Sequence, residues 1–376
     1  MSLNWQKIKL GNYNVADLIM GISPSSQFYN GKAEGIPFLQ GSAQFGEVYP
    51  VTDIFTSTAI KIAERGDTLI SVRAPVGDLN IADKKYCIGR GLAAVRAKES
   101  IDSKFLFYSL LVSKYKIQSE SSGSTFKSVN KSVLENFEIF LPPIPTQQKI
   151  VAVLDAIQAE ISQQKEIIEK TKELKKSLMK KLFSKGTRGE KLKETKIGKM
   201  PESWEVGVLQ NLAKVIYGKS NPNNKGTYPI FGSSGVYGNT NQILVNKPTI
   251  IIGRKGTAGA SYFYDGPCWV SDTAFYLDIN TNSVEPKFLY LCLDFFKFRI
   301  SGKHDKTTLP SLKRQDLENF KFSLPKNLKE QAEIASILQK VDDRIEIARE
   351  QKKLHEELFS NTLHKIMAGE IDVKNL

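Results

Sequence analysis

The chain is poor in the residues on which most single-chain chemistry depends. Its 376 residues hold only three histidines and three cysteines. Cys87, Cys268 and Cys292 are too few and too scattered for a disulfide framework. His355 and His364 lie on one helical stretch, nine residues apart, so they do not stack on a face, and His304 stands alone. With no cysteine beside them, no zinc site is expected. Apolar runs such as Ile250-Ile251-Ile252 fall far short of the ~20 residues a membrane span needs. The start, Met1-Ser2-Leu3-Asn4-Trp5-Gln6-Lys7, lacks the basic-then-apolar order of a secretory signal. A cytoplasmic protein with no membrane partner is the expectation.

Catalytic signatures are missing too. Gly218-Lys219-Ser220 imitates the end of a phosphate-binding loop, but the first glycine of that motif falls on Ala213. Gly253, Gly256 and Gly259 lack the dinucleotide spacing and read as turn glycines. Glu194-Thr195-Lys196 has no suitable upstream aspartate for a nuclease centre. No Asn/Asp-Pro-Pro-aromatic run of the amino-methyltransferase kind occurs; Pro142-Pro143 follows Leu141 instead. These gaps argue against a self-sufficient nuclease or methyltransferase.

Positive charge is what the chain has in excess. Lys and Arg number 53 against 40 Asp and Glu, a net charge of +13. A basic surface favours a polyanion such as nucleic acid, or an anionic membrane. Hydrophobic residues at 41% and charged residues at 25% are those of a folded protein. The length suits about two or three domains.

The chain also repeats itself. Trp5 and Leu10 return as Trp204 and Leu209, at an offset of 199. At an offset of 183, Lys104-Phe105-Leu106 returns as Lys287-Phe288-Leu289. Leu134-Glu135-Asn136-Phe137 returns as Leu317-Glu318-Asn319-Phe320, and Leu141-Pro142 as Leu324-Pro325. Of the 39 positions from 104 to 142, 14 match their partners without a gap. Chance would give roughly two or three, so the halves read as a duplication. Residues 11–100 and 210–283 are only patchily similar. Ser71-Val72-Arg73-Ala74-Pro75-Val76-Gly77 against Ile252-Gly253-Arg254-Lys255-Gly256-Thr257 is one such patch. Each half thus combines a shared frame with a private middle.

Each half ends in a heptad helix. Ile150, Leu154, Ile157, Ile161, Ile168, Leu178 and Leu182 recur on a 4-3 spacing, with Gln164 and Thr171 in the polar gaps. Shifting by 184 gives Ile334, Leu338, Val341, Ile345, Ala348, Phe359 and Ile366, with Lys352, His355 and Thr362 as polar members. Residues 146–185 carry nine basic and five acidic side chains, and residues 329–376 eight and ten. Net charges of opposite sign favour pairing of these helices with each other. The expected layout is α+β. Mixed α/β domains span 1–146 and 200–328, helices 147–185 and 329–371, and a polar linker 186–199. Further helices are expected near 102–117 and 285–300.

Several stretches resemble the specificity (S) subunit of type I restriction–modification enzymes. Gly66-Asp67-Thr68-Leu69-Ile70-Ser71-Val72-Arg73 and Tyr86-Cys87-Ile88-Gly89-Arg90-Gly91-Leu92-Ala93 look like first target-recognition domains of that family. Tyr228-Pro229-Ile230-Phe231-Gly232-Ser233-Ser234-Gly235-Val236 and Trp269-Val270-Ser271-Asp272-Thr273-Ala274 look like second ones. Leu141-Pro142-Pro143-Ile144-Pro145-Thr146-Gln147-Gln148 is similar to the lead into its first conserved helix, and Pro201-Glu202-Ser203-Trp204 to the start of its second domain. The resemblance spans nearly the whole chain. It implies a non-catalytic reader of double-stranded DNA, with two similar domains in pseudo-two-fold relation on two long antiparallel coiled-coil helices. It further implies a bipartite asymmetric target, two adenine-N6 methyltransferase (M) subunits and a restriction (R) motor subunit as partners. S-adenosylmethionine is then expected on the M subunit and no cofactor on this chain. Self-association of isolated chains stays open.

Basic and hydroxyl side chains beside glycine-rich turns are the DNA-contact candidates, since they reach phosphates and, for Arg, guanine edges. In the first domain these are Arg73, Arg90, Ser124, Thr125, Lys127 and Lys131. In the second they are Ser233, Ser234, Arg254, Lys255, Lys306, Thr307 and Lys313. The competing reading is that Arg73 and Arg254 brace carboxylates such as Asp67 or Asp272. Lys165, Lys172, Lys176 and Lys180 are candidates for partner docking. The competing function is a coiled-coil adaptor with two protein- or carbohydrate-binding modules and no DNA binding.

Overall fold

The computed structural model describes residues 5–119, 128–220, 222, 225–296 and 311–371. It divides into two compact units: Met1–Gln164 with Glu350–Leu376, and Lys165–Arg349.

In the first unit, four antiparallel strands run in the order Ala16–Met20, Leu92–Ala97, Thr68–Ser71, Leu79–Ile81. The two central strands are buried on both faces, because successive side chains point to opposite sides. Leu69, Leu92 and Ala94 meet one cluster with Leu39, Tyr86 and Ile88. Ile70, Ala93 and Val95 meet another with Phe105 and Leu106 of the helix Ser103–Val112. A second sheet contains Ile36–Leu39, parallel to Tyr86–Ile88, with Ile62–Ala63 antiparallel beyond it.

The second unit repeats this plan. Its strands run Ala213–Tyr217, Ala274–Ile279, Thr249–Gly253, Ser261–Tyr264. Tyr228–Gly232 lies parallel to Pro267–Val270, with Val245–Asn246 antiparallel beyond it. The two middles, patchy in sequence, therefore share one topology. Apolar residues replace one another in a doubly buried sheet with little regard to identity, as Leu69-Ile70 and Ile251-Ile252 do, so similarity fades while pairing persists.

Each unit is closed at its base by one strand pair and one glutamine. Gln6–Lys9 pairs with Glu138–Leu141, and Trp204–Val208 with Lys321–Pro325. Gln147 is fully buried. Its Oε1 accepts from the Asp102 amide at 2.7 Å, and its Nε2 donates to the carbonyls of Pro142 at 2.8 Å and Ser100 at 3.1 Å. Gln331, equally buried, accepts from the Glu285 amide at 2.7 Å and donates to the Pro325 carbonyl at 2.8 Å. Asp102 and Glu285 are in turn the N-caps of the helices Ser103–Val112 and Pro286–Phe295.

The long helices are Ile144–Lys185 and Leu328–Met367, and each contributes to both units. The first begins three residues before the expected 147, because Pro145 fits the first turn, where its missing N–H is no loss. Gly186, at φ +64°, follows its end. Within the first unit, Ile150 and Leu154 pack with Leu363 and Ile366. Within the second, Ile168 packs with Ile345 and Ala348, Lys175 bridges Asp342 at 2.7 Å, and Leu182 shares a core with Ile334 and Leu338. Rising numbers on one helix meet falling numbers on the other, which is antiparallel pairing. Gln164 and Thr171 are buried, Ile161 is buried, and Ile157, Leu178, Val341 and Phe359 are partly buried.

Two other expectations need correction. The stretch 186–199, read as a polar linker, contains the strand Leu192–Thr195, which pairs with Gly198–Pro201 in a hairpin. Its turn is set by Gly198 at φ +118° and by Thr195 Oγ1 donating to the Gly198 carbonyl. The charged side chains disguise the strand, yet Lys193 Nζ donates to the carbonyls of Glu202 and Trp204 and so tethers it. The helix expected over 102–117 is broken at Ser113, with a second piece at Lys114–Ser119. No helix among the described residues is long and apolar enough to cross a membrane.

Gln331→Ala should lower stability by about 2–3 kcal/mol, since it leaves a buried amide and carbonyl without partners. Exposed Gln148→Ala should stay within about 0.5 kcal/mol of the parent. Denaturant unfolding followed by tryptophan fluorescence, with Trp204 in the affected core, would measure both.

Candidate nucleic-acid interface

Most of the candidate contact residues that are described fall on turns at one end of each central sheet. In the first unit, Leu92 pairs with Ser71, and the Val72 amide donates to the Gly91 carbonyl at 2.9 Å. Continuing that register brings Arg73 opposite Arg90. Both are exposed, with no ion pair among the described residues. Arg90 sits between two glycines for a steric reason. A Cβ on Gly89 would come within 2.9 Å of Ser23 Oγ, and one on Gly91 within 2.6 Å of the Gln40 carbonyl. The Arg90 amide donates to Ser23 Oγ at 3.1 Å. Ser128 bridges Arg73; Ser124, Thr125 and Lys127 lie outside the described residues. Lys131 is in the turn after the Asn130 cap and pairs with Glu135 at 3.3 Å.

In the second unit, Arg254 and Lys255 both send their amides to the Thr273 carbonyl, at 2.9 and 3.2 Å. The Arg254 guanidinium donates to the Asp272 backbone carbonyl at 3.1 Å and lies 5.1 Å from the Tyr217 ring centroid. Ser234 Oγ and Thr257 Oγ1 are 3.0 Å apart, and the Ser233 amide donates to Thr273 Oγ1 at 3.2 Å. Ser233, Ser234 and Asp272 line an open cleft of about 400 Å³ with Tyr237 and Thr273. Lys255 bridges Ser311, and the Leu312 amide donates to the Arg254 carbonyl, which carries the chain on to Lys313. Lys306 and Thr307 lie outside the described residues.

The bracing alternative is answered by the contacts. Asp67 is held by Arg96, at 2.8 Å, and not by Arg73. Arg254 engages the backbone of Asp272 and not its carboxylate. Of the proposed docking lysines, Lys172 pairs with Glu169 on its own helix at 2.7 Å, and Lys176 and Lys180 are exposed.

The loops of the two units correspond bond by bond. Gly77 donates to the Ser71 carbonyl at 2.9 Å, and Gly259 to Gly253 at 2.9 Å; both glycines have φ +83°. Val129 donates to Val72 as Leu312 does to Arg254, and Arg73 bridges Ser128 as Lys255 does Ser311. The offset here is 182, so Lys255 is the counterpart of Arg73. The sequence patch had suggested Arg254, one residue away. Arg254 stands instead where the first unit has Val72.

Sequence reasoning missed Lys219, Thr257, Asp272 and Thr273. The rejected Gly218-Lys219-Ser220 run was the available signal. Gly218 is required because a Cβ there would lie 1.9 Å from the Ser271 carbonyl, and Gly21 has the same relation to Gly89 at 2.1 Å. The glycine serves close backbone approach and presents Lys219 at the loop edge.

No group of three or more His, Cys, Asp or Glu that could hold a metal occurs among the described residues. Cys87, Cys268 and Cys292 are buried and free, and burial pushes their thiols up, that of Cys268 to about 11. Such thiols are protonated near neutrality and make poor nucleophiles.

The family model described as the type I restriction modification DNA specificity domain matches residues 3–173 and again 201–356. A putative type I restriction enzyme MjaX specificity subunit from Methanocaldococcus jannaschii is 46% identical over 173 residues. That match covers 45% of this chain and 41% of the relative, so the matched stretch spans less than half of that relative's length. The MjaVIII specificity subunit of the same organism is 27% identical over 99% of this chain and 94% of its own. The crystal structure of an S subunit from M. genitalium has a TM-score of 0.66 at 17% identity and covers 96% of each chain, a likeness of fold.

Gly218→Ala should destabilise the second unit by about 1–3 kcal/mol or more, through forced displacement of the Ser271 backbone. Gly41→Ala, where an added Cβ meets nothing within 4 Å and φ is −169°, should change stability by less than about 0.5 kcal/mol. Thermal unfolding of the two variants tests the contrast.

Proposed function

The chain belongs to the type I restriction modification DNA specificity family, and from that premise we propose that each unit reads one half of a bipartite, asymmetric duplex DNA target. The observation that carries this reading is the pair of loop clusters. Both are built on the same backbone bonds, both present exposed cations, and they differ in the side chains they present. Identical frames suit two double-helical half-sites, and unlike side chains suit different bases in each. Arg73 and Arg90 serve the first half-site, and Lys219, Arg254 and Lys255 the second.

The long helices set the spacing of the half-sites and dock two adenine-N6 methyltransferase subunits, with a restriction subunit joining the full complex. The continuity of each helix through both units supports that role. S-adenosylmethionine is held by the methyltransferase partner, and this chain contributes recognition without catalysis.

Methylome sequencing of the source cell with and without this gene should show one split adenine-methylation motif that disappears on deletion. An unchanged methylome would overturn the reading. In direct binding to cognate duplex, the double substitution Arg254→Ala with Lys255→Ala should weaken affinity and reduce the slope of log affinity against log salt by about 1–2. An unaltered slope would remove that loop from the interface.

A further inference from the structure

The loops Gly89-Arg90-Gly91 and Ser271-Asp272-Thr273 occupy one place in the common frame and carry opposite charges there. Gly89 donates to the Leu39 carbonyl at 2.7 Å, and Ser271 to Phe231 at 2.8 Å. Leu92 donates back to Gly89 at 2.9 Å, and Ala274 to Ser271 at 3.1 Å. Gly91 accepts from Val72 and Thr273 from Arg254, each at 2.9 Å. Gly21 donates to Leu92 and Gly218 to Ala274, at 2.9 and 3.0 Å. Val72, Gly89, Gly91 and Leu92 map to Arg254, Ser271, Thr273 and Ala274 at an offset of 182, so Asp272 is the counterpart of Arg90.

We propose that Asp272 is a base-discriminating residue of the second unit. Its carboxylate accepts a hydrogen bond from an exocyclic amino group in the major groove, cytosine N4 or adenine N6. Arg90, at the same station in the first unit, donates to the acceptor edge of guanine. The inference rests on the DNA-reading function proposed above.

Three observations converge on it. First, the Asp272 side chain is exposed at the mouth of the cleft that Ser233, Ser234 and Tyr237 line. Second, its neighbours along the backbone are cationic. Lys219 bridges Ser271, and Arg254 and Lys255 both bond Thr273. Even so, the carboxylate makes no ion pair or hydrogen bond among the described residues. Arg254 takes the Asp272 backbone carbonyl instead and stacks over Tyr217. Third, a free carboxylate on a polyanion-binding surface is repelled by every nearby phosphate. It lowers affinity for DNA in general and is compensated only where it meets a donor. Among base edges in the major groove, the donors are the amino groups of cytosine and adenine. An acid placed there therefore selects against guanine and thymine edges while the surrounding cations hold the backbone.

The test is selection from a randomised duplex library by the full chain, comparing the parent with Asp272→Asn and Asp272→Ala. The parent should enrich a motif with cytosine or adenine fixed at one position of one half-site, and which of the two is fixed identifies the amino group. Asp272→Ala should relax that position alone, with about a tenfold loss of discrimination, and should bind non-cognate duplex more tightly. Asp272→Asn, which can both donate and accept, should widen the choice at the same position and leave the rest of the motif intact. A residue that merely supports the fold would instead weaken cognate and non-cognate binding together. If both variants select the parent motif unchanged, Asp272 does not discriminate bases, and the DNA-reading function stands. If the parent itself enriches no motif, the DNA-reading function fails and this inference with it.

Discussion

Gln147 and Gln331 each tie three separately formed pieces of a unit at one buried point. One amide group accepts from the residue that caps a domain helix, donates to a proline carbonyl at the end of the strand that leaves the domain, and belongs to the first turns of a long helix. A buried amide that loses its partners keeps its desolvation cost, so the three pieces hold one relative arrangement or the glutamine is left stranded. The strand pairs at the base and the helix caps beside them repeat in both units because this junction does. The sheets and their loops are built outward from it.

That dependence explains where the duplication is visible in the amino-acid sequence. Identities cluster from Lys104 to Pro142 and from Lys287 to Pro325, the segments that supply the capped helix, the closing strand and the approach to the glutamine. Packing and capping there accept few substitutes. The long helices were legible from their 4-3 spacing, since burial along one stripe is a sequence-local property. Leu363 and Met179 are buried as well, outside the simple seam, because the helix ends meet domain cores rather than only each other.

The middles hid their kinship for the opposite reason. A sheet covered on both faces needs apolar residues of about the right size and no particular identity. What persists is carried by the main chain: glycines at Gly21 and Gly218, the parallel strand pair, and the φ +83° turns at Gly77 and Gly259. Isolated glycines are weak signals in a sequence with 26 of them. The candidate site was accordingly half readable. Arg73, Arg90, Arg254 and Lys255 were singled out as candidates from charge beside glycine. Asp272 was not, since an acid is the wrong sign for a search aimed at polyanions. The hairpin at Leu192–Pro201 was hidden for another reason, its strand pattern being masked by charged side chains.

The loop tips are fastened largely by carbonyls, amides and glycines, and the Arg90 and Asp272 side chains make no hydrogen bond or ion pair among the described residues. The stability of the fold therefore owes little to these two side chains. A lineage can replace Arg90 or Asp272 with another residue and pass through no poorly folded intermediate. The fold can therefore change what its loop tips display by single steps, each variant as durable as the last.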